Sequence, residues 1–194
     1  HYRARRQRQM CIRDSLTTGH VQLRGKEASI SFKGKTGKQN TCSIRDPQVL
    51  QFLRQRTHRH KRRVHSHEPL FSYESAHGGK RVGILPMDIN QALKKYGDIS
   101  AKDFRTWQAN LTYTRALMDQ DLEAPRAGTR KDTQARIRKA LQTTAERLYH
   151  TPSVCKSNYL HGGITDLYRD DEARFTGFAR AYGRLATTAT EMQK

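Results

Sequence analysis

The stretch His20–Lys38, HVQLRGKEASISFKGKTGK, decides the fold, because apolar and polar residues alternate there at every second position. The apolar positions of this alternation are Val21, Leu23, Ala28, Ile30 and Phe32. A period of two places successive side chains on opposite faces of a strand, and the glycine-containing segments RGKE and GKTGK are typical of turns. The alternation resumes at Cys42 and Ile44. The sequence therefore predicts an antiparallel sheet of three strands.

The rest of the chain has the spacing of amphipathic helices. Asp46 followed by Pro47 predicts a helix start, and the pair Ser100 and Asp103 forms a capping-box pattern before a longer helix. Two further helices are predicted from about residue 131 to 149 and from about 172 to 187. Side chains predicted to face the core include Val49, Leu50, Leu53, Leu70, Phe71, Tyr73 and Tyr96. The fold class expected is mainly α with a small antiparallel three-stranded sheet (α+β).

The composition predicts a polyanionic partner. The chain has 194 residues, and 37 Lys and Arg against 18 Asp and Glu give a net charge of +19. Lysine and arginine bind phosphates with release of counterions, so a folded domain this basic favours nucleic acid as its ligand. The alternative is a basic surface that is merely solvated. Histidines recur in the segment 56–69, and a phosphate-binding loop is favoured over a metal site there.

Cysteine content and hydropathy exclude several classes of protein. The three cysteines are scattered and odd in number, which argues against a disulfide framework and for a reducing compartment. No CxxC pair is present, so a structural zinc site is not expected. No apolar run is long enough to cross a bilayer or to form a signal peptide. We expect an intracellular protein with no membrane partner, in the cytoplasm or nucleoid, or in the nucleus of a eukaryotic host.

A second informative stretch is His150–Tyr159, HTPSVCKSNY. Thr151 is a suitable N-cap and Pro152 suits the first helical position, so a helix is predicted to begin there. His150 would lie just before this helix and Tyr159 more than two turns into it. Taken alone, each has an ordinary structural explanation, as a helix-end histidine and a core tyrosine.

Lys35, on the predicted second turn of the sheet, and Arg105, in KDFRTW, complete a set of four with His150 and Tyr159. The set suits transesterification of a phosphodiester. A tyrosine hydroxyl can attack a phosphate and form a covalent intermediate. A guanidinium and an imidazole can stabilise charge on the non-bridging oxygens, and a lysine can protonate the departing sugar oxygen. This chemistry requires no metal and no cofactor.

The segments HVQLRG, ISFKGKTGK, KDFRTW and HTPSVCKSNYLH, in this order, resemble the catalytic domain of type IB DNA topoisomerases in the short form of poxviruses and many bacteria. The resemblance covers about residues 16–168. It implies that Tyr159 forms a 3′-phosphotyrosyl bond, that Lys35 is the general acid, and that Arg105 and His150 stabilise the transition state. It also places Lys102 and Asn110 at family positions near the scissile phosphate. Lys38, on the predicted second turn of the sheet, and Lys156 are further candidates for DNA contacts.

The function implied is relaxation of supercoiled double-stranded DNA by transient cleavage of one strand, without ATP or metal, by a monomer. Two alternatives remain open. One is a tyrosine recombinase, which shares the chemistry and the domain fold; its second arginine usually lies in an H-x-x-R motif, whereas this chain has Lys102-x-x-Arg105. The other is a catalytically incomplete fragment that binds DNA through its basic surface.

The first 15 residues, HYRARRQRQMCIRDS, do not resemble the family. We expect residues 1–15 to be a non-native or disordered basic leader, and residues 16–194 to be a catalytic domain that lacks its upstream part. The family has a further catalytic arginine upstream of the hairpin, at a position that falls at or before residue 1. Loss of one charge-assisted donor typically slows such a reaction by about 10²–10³-fold, so we expect this chain to bind DNA but to cleave it poorly.

Overall fold

The computed structural model describes residues 16–34, 37, 39–58, 67–75, 79 and 81–191. The chain forms two compact units, divided between Asp98 and Ile99. The first unit contains a three-stranded sheet, a two-stranded sheet and short helices, and the described part of the second unit is helical. The predicted fold class, mainly α with a small antiparallel three-stranded sheet, is confirmed.

The three-stranded sheet consists of β1 (Val21–Arg24), β2 (Glu27–Lys33) and β3 (Gln39–Ile44), which pair in chain order. Both pairings are antiparallel: Val21 lies opposite Ile30 in one, and Ile30 lies opposite Cys42 in the other. The tight turn between β1 and β2 contains Gly25 at φ 57°, a left-handed conformation that glycine adopts without steric cost. The alternation in the sequence therefore predicted this sheet correctly.

Helix α1 (Pro47–His58) covers one face of the sheet. The buried apolar cluster of this unit consists of Leu16, Ala28, Ile30, Leu50, Leu53 and Leu70. Leu50 and Leu53 lie one helical turn apart and face this cluster, as predicted. Val49 was predicted to join them, but it is 40% exposed.

A two-stranded hairpin and two short helical turns complete the first unit. The strands are β4 (Ser72–Glu74) and β5 (Arg81–Gly83), followed by α2 (Pro86–Leu93) and a 3₁₀ turn at Lys94–Tyr96. The expected burial of Tyr73 and Tyr96 was wrong, since they are 52% and 83% exposed. Ser72 takes the buried side of β4, so alternation turns Tyr73 outward. Tyr96 lies in the 3₁₀ turn, where the α-helical period no longer applies.

Five helices form the described part of the second unit: α3 (Ala101–Glu123), α4 (Arg130–Arg147), α5 (Pro152–Asn158), α6 (Gly162–Asp170) and α7 (Glu172–Glu191). The capping box before α3 is confirmed: the backbone N–H and the hydroxyl of Ser100 both donate to Asp103 Oδ2, at 2.8 and 2.7 Å. Thr129 caps α4 by accepting the N–H of Asp132. Hydroxyl and carboxylate caps satisfy amide donors that have no partner within a helix.

The core of the second unit joins α3, α4, α6 and α7. Its buried side chains are Tyr113, Leu117, Ala140, Ile164, Tyr168, Phe175 and Ala179. Complete burial of one large apolar side chain contributes about 1.5–3 kcal/mol, so this cluster stabilises the four-helix arrangement. In the described part of the chain, no helix combines the length and hydropathy needed to cross a bilayer.

A polar network lies at the C-terminal end of α3, with Asp121 at its centre. Asp121 accepts from Arg126 at 2.6 Å, from Arg136 at 3.4 Å and from the Tyr168 hydroxyl at 2.8 Å. The Arg126 guanidinium lies over the Tyr168 ring, with Cζ 3.9 Å from the ring centroid. Burial, together with the hydrogen bond to Asp121, raises the pKa of Tyr168, so its hydroxyl stays protonated and fixed.

Candidate active site

The predicted site residues of the second unit lie beside a small buried hydrophobic cluster, called the platform below. Four buried side chains form it: Ala109 of α3, Ala145 and Leu148 from α4 and its end, and Cys155 of α5. Both alanines are completely buried, and their small size lets the helix backbones approach closely. Burial raises the pKa of the Cys155 thiol, so this sulfur remains a neutral packing group.

The C-terminus of α4 places His150. Tyr149 has φ 58°, and its N–H donates to Glu146 O at 3.1 Å. The His150 N–H donates to Ala145 O at 2.7 Å. This pair of hydrogen bonds around a left-handed residue is a Schellman motif, which ends a helix and fixes the direction of the following residue. His150 is therefore held at a defined position beside the platform.

Helix α5 places Tyr159. The Thr151 side chain accepts the N–H of Val154 at 3.3 Å, and Pro152 occupies the first turn, so the predicted helix start is confirmed. The helix ends at Asn158, and Tyr159 is the residue that caps it, with its N–H donating to Cys155 O at 3.1 Å. Tyr159 was expected inside the helix; it lies immediately after it, where the chain turns toward α6.

The structure brings Arg105, His150 and Tyr159 together. The rings of His150 and Tyr159 are stacked, with centroids 4.9 Å apart and an interplanar angle of 15°. Arg105 Cζ lies 5.8 Å from the centroid of the Tyr159 ring. Arg105 Nη2 donates to the backbone carbonyl of Leu148 at 3.1 Å, which ties α3 to the end of α4. All three residues are partly exposed, while the Nε2 atom of His150 is itself buried.

The electrostatic setting of this triplet is basic. Within the described residues, no carboxylate forms an ion pair with Arg105, whose described hydrogen bond is to a neutral carbonyl. Lys102, Arg147 and Lys156 are exposed on the elements that carry the site. A guanidinium that is oriented but not neutralised is suited to an anionic ligand with oxygen acceptors.

Asn110 holds the backbone around Tyr159. It is buried on α3 and donates from Nδ2 to the carbonyl oxygens of Thr106 at 2.7 Å and Tyr159 at 2.9 Å. Its Oδ1 accepts the N–H of His161 at 2.8 Å. The sequence suggested a DNA contact for Asn110, whereas its described hydrogen bonds all go to backbone groups. Asn110 therefore fixes the backbone on both sides of Leu160, next to Tyr159.

The remaining predicted residues are distributed as follows. Lys35 and Lys38 lie outside the described residues. Lys102 is exposed in the first turn of α3, and Lys156 is exposed on α5. No group of three or more His, Cys, Asp or Glu that could hold a metal occurs in the described ranges; most of the histidine-rich segment lies outside them.

Two features of the site had been missed in the sequence. His161 is the N-cap of α6: its Nδ1 accepts the N–H of Gly163 at 3.2 Å, while its own N–H is bound by Asn110. A signal for this was available, since a polar residue before Gly162 and Gly163 can begin a helix. The left-handed conformation of Tyr149 had no such signal, because glycine is the usual residue at that position.

Comparison with known proteins identifies the family of the chain. A family described as the catalytic core of eukaryotic DNA topoisomerase I matches residues 10–173. A DNA topoisomerase 1B of Acanthamoeba polyphaga mimivirus is 26% identical over 164 residues, which cover 83% of this chain and 47% of the viral protein. The chain thus spans about half the length of this relative. The resemblance found in the sequence motifs is confirmed, and the chain belongs to the family of the DNA topoisomerase I catalytic core.

Proposed function

We propose that this chain is the catalytic part of a type IB DNA topoisomerase, which relaxes supercoiled duplex DNA by cutting and resealing one strand. The observation that carries the proposal is the convergence of Arg105, His150 and Tyr159 from three different helical elements onto one partly exposed spot. A tyrosine with an imidazole stacked on its ring and a guanidinium beside it is suited to attack on a phosphate.

In the proposed reaction, Tyr159 Oη attacks the scissile phosphorus. A bond forms between this oxygen and phosphorus while the bond from phosphorus to the 5′ oxygen of the next sugar breaks. The tyrosine gives up its proton to water, and the departing 5′ oxygen takes one, for which Lys35 is the proposed donor. Resealing is the reverse attack by the 5′ hydroxyl. Since one phosphodiester is exchanged for another, the cycle needs no ATP.

Arg105 and His150 stabilise the charge that builds on the non-bridging oxygens. Arg105 uses Nη2 to bind Leu148 O, which orients the guanidinium and leaves other N–H donors for phosphate oxygens. His150 lies in ring contact with Tyr159 and therefore next to the same phosphate. Asn110 contributes by fixing the backbone on both sides of Leu160.

Duplex DNA is the proposed substrate, bound mainly through its backbone. The net charge of +19 supports this, and exposed Lys102 and Lys156 flank the site, while Lys38 is proposed to act with Lys35 on the hairpin turn. Phosphate contacts make affinity fall steeply with salt and depend little on sequence. The proposed catalytic residues Lys35, Arg105, His150 and Tyr159 all lie in one chain. We therefore propose that it acts as a monomer wherever duplex DNA is present, in nucleoid or nucleus.

Covalent trapping tests this proposal. The chain is mixed, in EDTA, with a duplex that loses its short 3′ fragment once nicked, and a slowed protein band is sought on a denaturing gel. Because one catalytic arginine of the family is missing, we expect a slowly formed adduct from the parent and from a Tyr168→Phe control, and none from Tyr159→Phe. DNA binding without any adduct from the parent would overturn the enzymatic proposal. It would favour the alternative that this chain is a catalytically incomplete fragment that binds DNA.

A second assay separates the topoisomerase from the tyrosine recombinase. The chain is incubated with plasmids of positive and of negative supercoiling, and the products are resolved by gel electrophoresis. We expect both signs to relax without added nucleotide. Strand exchange between two duplexes, with no relaxation of either plasmid, would favour the recombinase instead.

A further inference from the structure

Tyr182 of α7 contacts the first turns of α3, the part of that helix that carries Arg105. Its ring packs edge-on against that of Trp107, with centroids 4.7 Å apart and an interplanar angle of 64°. Its hydroxyl donates to the backbone carbonyl of Trp107 at 3.4 Å. Burial raises the pKa of Tyr182, so the hydroxyl stays protonated and can act as this donor. Tyr182 therefore contacts both the side chain and the main chain of one residue of α3.

A second ring connects this contact to the core. Phe178, one turn before Tyr182 on α7, stacks on the Tyr182 ring with centroids 5.4 Å apart and an interplanar angle of 16°. Phe178 itself packs against the core cluster of the second unit. Stacked and edge-on aromatic pairs attract each other beyond the effect of burial alone. Trp107, Tyr182 and Phe178 thus form a continuous row of rings from α3 to the core, called the aromatic row below.

The first turns of α3 have few other links to buried apolar groups. In the part of the chain that the structure describes, the buried clusters include α3 residues at Ala109 and from Tyr113 onward, and none before Ala109. Phe104, next to Arg105, is 59% exposed. A segment with few buried contacts opens locally more easily than the core does. The aromatic row therefore holds a part of α3 that the clusters do not reach.

Trp107 and Arg105 lie on opposite sides of α3, because residues two positions apart are separated by about 200° around a helix. On the Arg105 side, the guanidinium binds Leu148 O and Ala109 packs in the platform. On the other side, Trp107 packs against Tyr182. This segment of α3 is therefore held from both sides, and loss of either contact would allow it to shift.

We propose that Tyr182 is a positioning residue for the cleavage reaction, which packs against Trp107 and thereby holds Arg105 in place beside Tyr159. This inference rests on the proposed function and adds α7 to it, a helix that lies almost entirely beyond residue 173, where the match to the family ends. Tyr182 acts through α3 and needs no contact with DNA. Loss of its ring should therefore slow the reaction of bound DNA and leave the affinity for DNA unchanged.

Two variants test the proposal: Tyr182→Leu removes the ring, and Tyr182→Phe removes only the hydroxyl. The rate of adduct formation is measured in a single turnover at increasing duplex concentration, well below the melting temperature of each variant. For Tyr182→Leu we expect a rate at saturating duplex about tenfold below the parent, because small displacements of a catalytic group are costly. The half-saturating duplex concentration should stay at the parent value. Tyr182→Phe should keep most of the rate, because the ring contact remains.

Phe175→Leu is the matched control on the same helix. Phe175 is 1% exposed and packs edge-on against Tyr168 in the core, with ring centroids 4.9 Å apart. This variant should lower the melting temperature at least as much as Tyr182→Leu, since Tyr182 is only partly buried, and yet keep the parent rate of adduct formation. An equal loss of rate in both variants would show that the rate follows stability, and would overturn the proposal.

Trp107 provides a spectroscopic readout, because it is the single tryptophan of the chain. Its fluorescence emission should change in Tyr182→Leu, which removes the neighbouring ring, and stay at the parent value in Phe175→Leu. A parent-like rate of adduct formation in Tyr182→Leu would overturn the proposal while leaving the proposed function intact. Failure of the parent itself to form any adduct would overturn both.

Discussion

Among the residues that the structure describes, the second unit contains two arginine–tyrosine pairs, which differ in how their polar groups are satisfied. In the first pair, Arg126 Cζ is 3.9 Å from the centroid of the Tyr168 ring. Both of their polar ends bind one carboxylate: Arg126 and the Tyr168 hydroxyl donate to Asp121 at 2.6 and 2.8 Å. The charge is neutralised, the hydroxyl is held, and the Arg126 side chain is only 9% exposed.

In the second pair, Arg105 Cζ lies 5.8 Å from the centroid of the Tyr159 ring. Arg105 binds the neutral carbonyl of Leu148, and within the described ranges no carboxylate pairs with it and no hydrogen bond holds the Tyr159 hydroxyl. A charged group and a hydroxyl are thus oriented by the protein but left available to a ligand. The same two residue types stabilise the fold in one pair and are left available to a ligand in the other.

The strongest test of this difference is Arg105→Ala. The guanidinium is proposed to bind the transition state, so its loss should slow adduct formation about 10²–10³-fold. The free energy of unfolding should change little, by about 0.5–1.5 kcal/mol for the one hydrogen bond to Leu148. Single-turnover cleavage and thermal unfolding measure the two quantities separately.

Arg105→Lys is the companion variant, because it keeps the charge but not the bidentate geometry. It should remain well below the parent in rate. A parent-like rate for Arg105→Ala would show that the available guanidinium has no part in the reaction.

For Arg126→Met we expect the opposite result, a large loss of stability with little change in the rate of cleavage. Removing one partner from a buried ion pair leaves Asp121 without its closest cation, which costs about 3 kcal/mol of unfolding free energy. The melting temperature should fall by about 6–12 °C for a protein of this size. Below that temperature adduct formation should stay close to the parent rate. If Arg126→Met kept its stability but cleaved slowly, the assignment of a structural role to the Arg126–Tyr168 pair would be wrong.

An intermediate effect is expected for Asn110→Asp, which removes the hydrogen bond from the side chain of residue 110 to the backbone carbonyl of Tyr159. The aspartate can still accept the N–H of His161, but it cannot donate to the carbonyls of Thr106 and Tyr159. We expect adduct formation to slow by about tenfold to a hundredfold, because small displacements of a reacting group are costly. The salt dependence of DNA affinity should be unchanged, since no phosphate contact is lost; a shallower slope would assign Asn110 to DNA binding instead.

The smallest effect is expected at the start of α3. Hydrogen bonds from the Ser100 hydroxyl and backbone hold the pKa of Asp103 below its ordinary value. The stabilisation is therefore fully present above the ordinary pKa of about 3.9, and it is lost as the pH falls through the lower pKa of the folded state. Asp103→Asn should melt slightly below the parent at pH 7, and the difference should close below about pH 4. A difference that persists at pH 2 would contradict this origin.

The sequence predicted those parts of the fold in which apolar and polar residues recur with a clear periodicity or a capping pattern is present. The alternation through Ala28 and Ile30 predicted the sheet, and the capping pair Ser100 and Asp103 predicted the start of α3. The β4–β5 hairpin was missed because its strands have three residues each, too few to show alternation. Helix α6 was missed because its first residues, Gly162 and Gly163, have low helix propensity.

The site was predictable through its motifs and much less through spacing. Arg105 and Tyr159 are distant in sequence, and only the ordered motifs indicated that they meet. The role of Asn110 had a weak physical signal: asparagine is unfavourable inside a helix, so one between Ala109 and Leu111 indicates a specific hydrogen-bonding task. The left-handed conformation of Tyr149 could not be predicted, because glycine is the usual residue at that position of a Schellman motif.

The anchorage of Tyr159 by Asn110 has a mechanical consequence for the proposed cycle. While a strand is joined to Tyr159, rotation of the free DNA end pulls on that residue. The hydrogen bonds of Asn110 to Tyr159 O and His161 N, and that of Tyr159 N to Cys155 O, pass this tension into α3 and α5. Helix α3, with 23 residues and therefore about 34 Å of length, spreads it across the core of the helical unit. In the proposed cycle, these hydrogen bonds would hold Tyr159 in place while the DNA rotates.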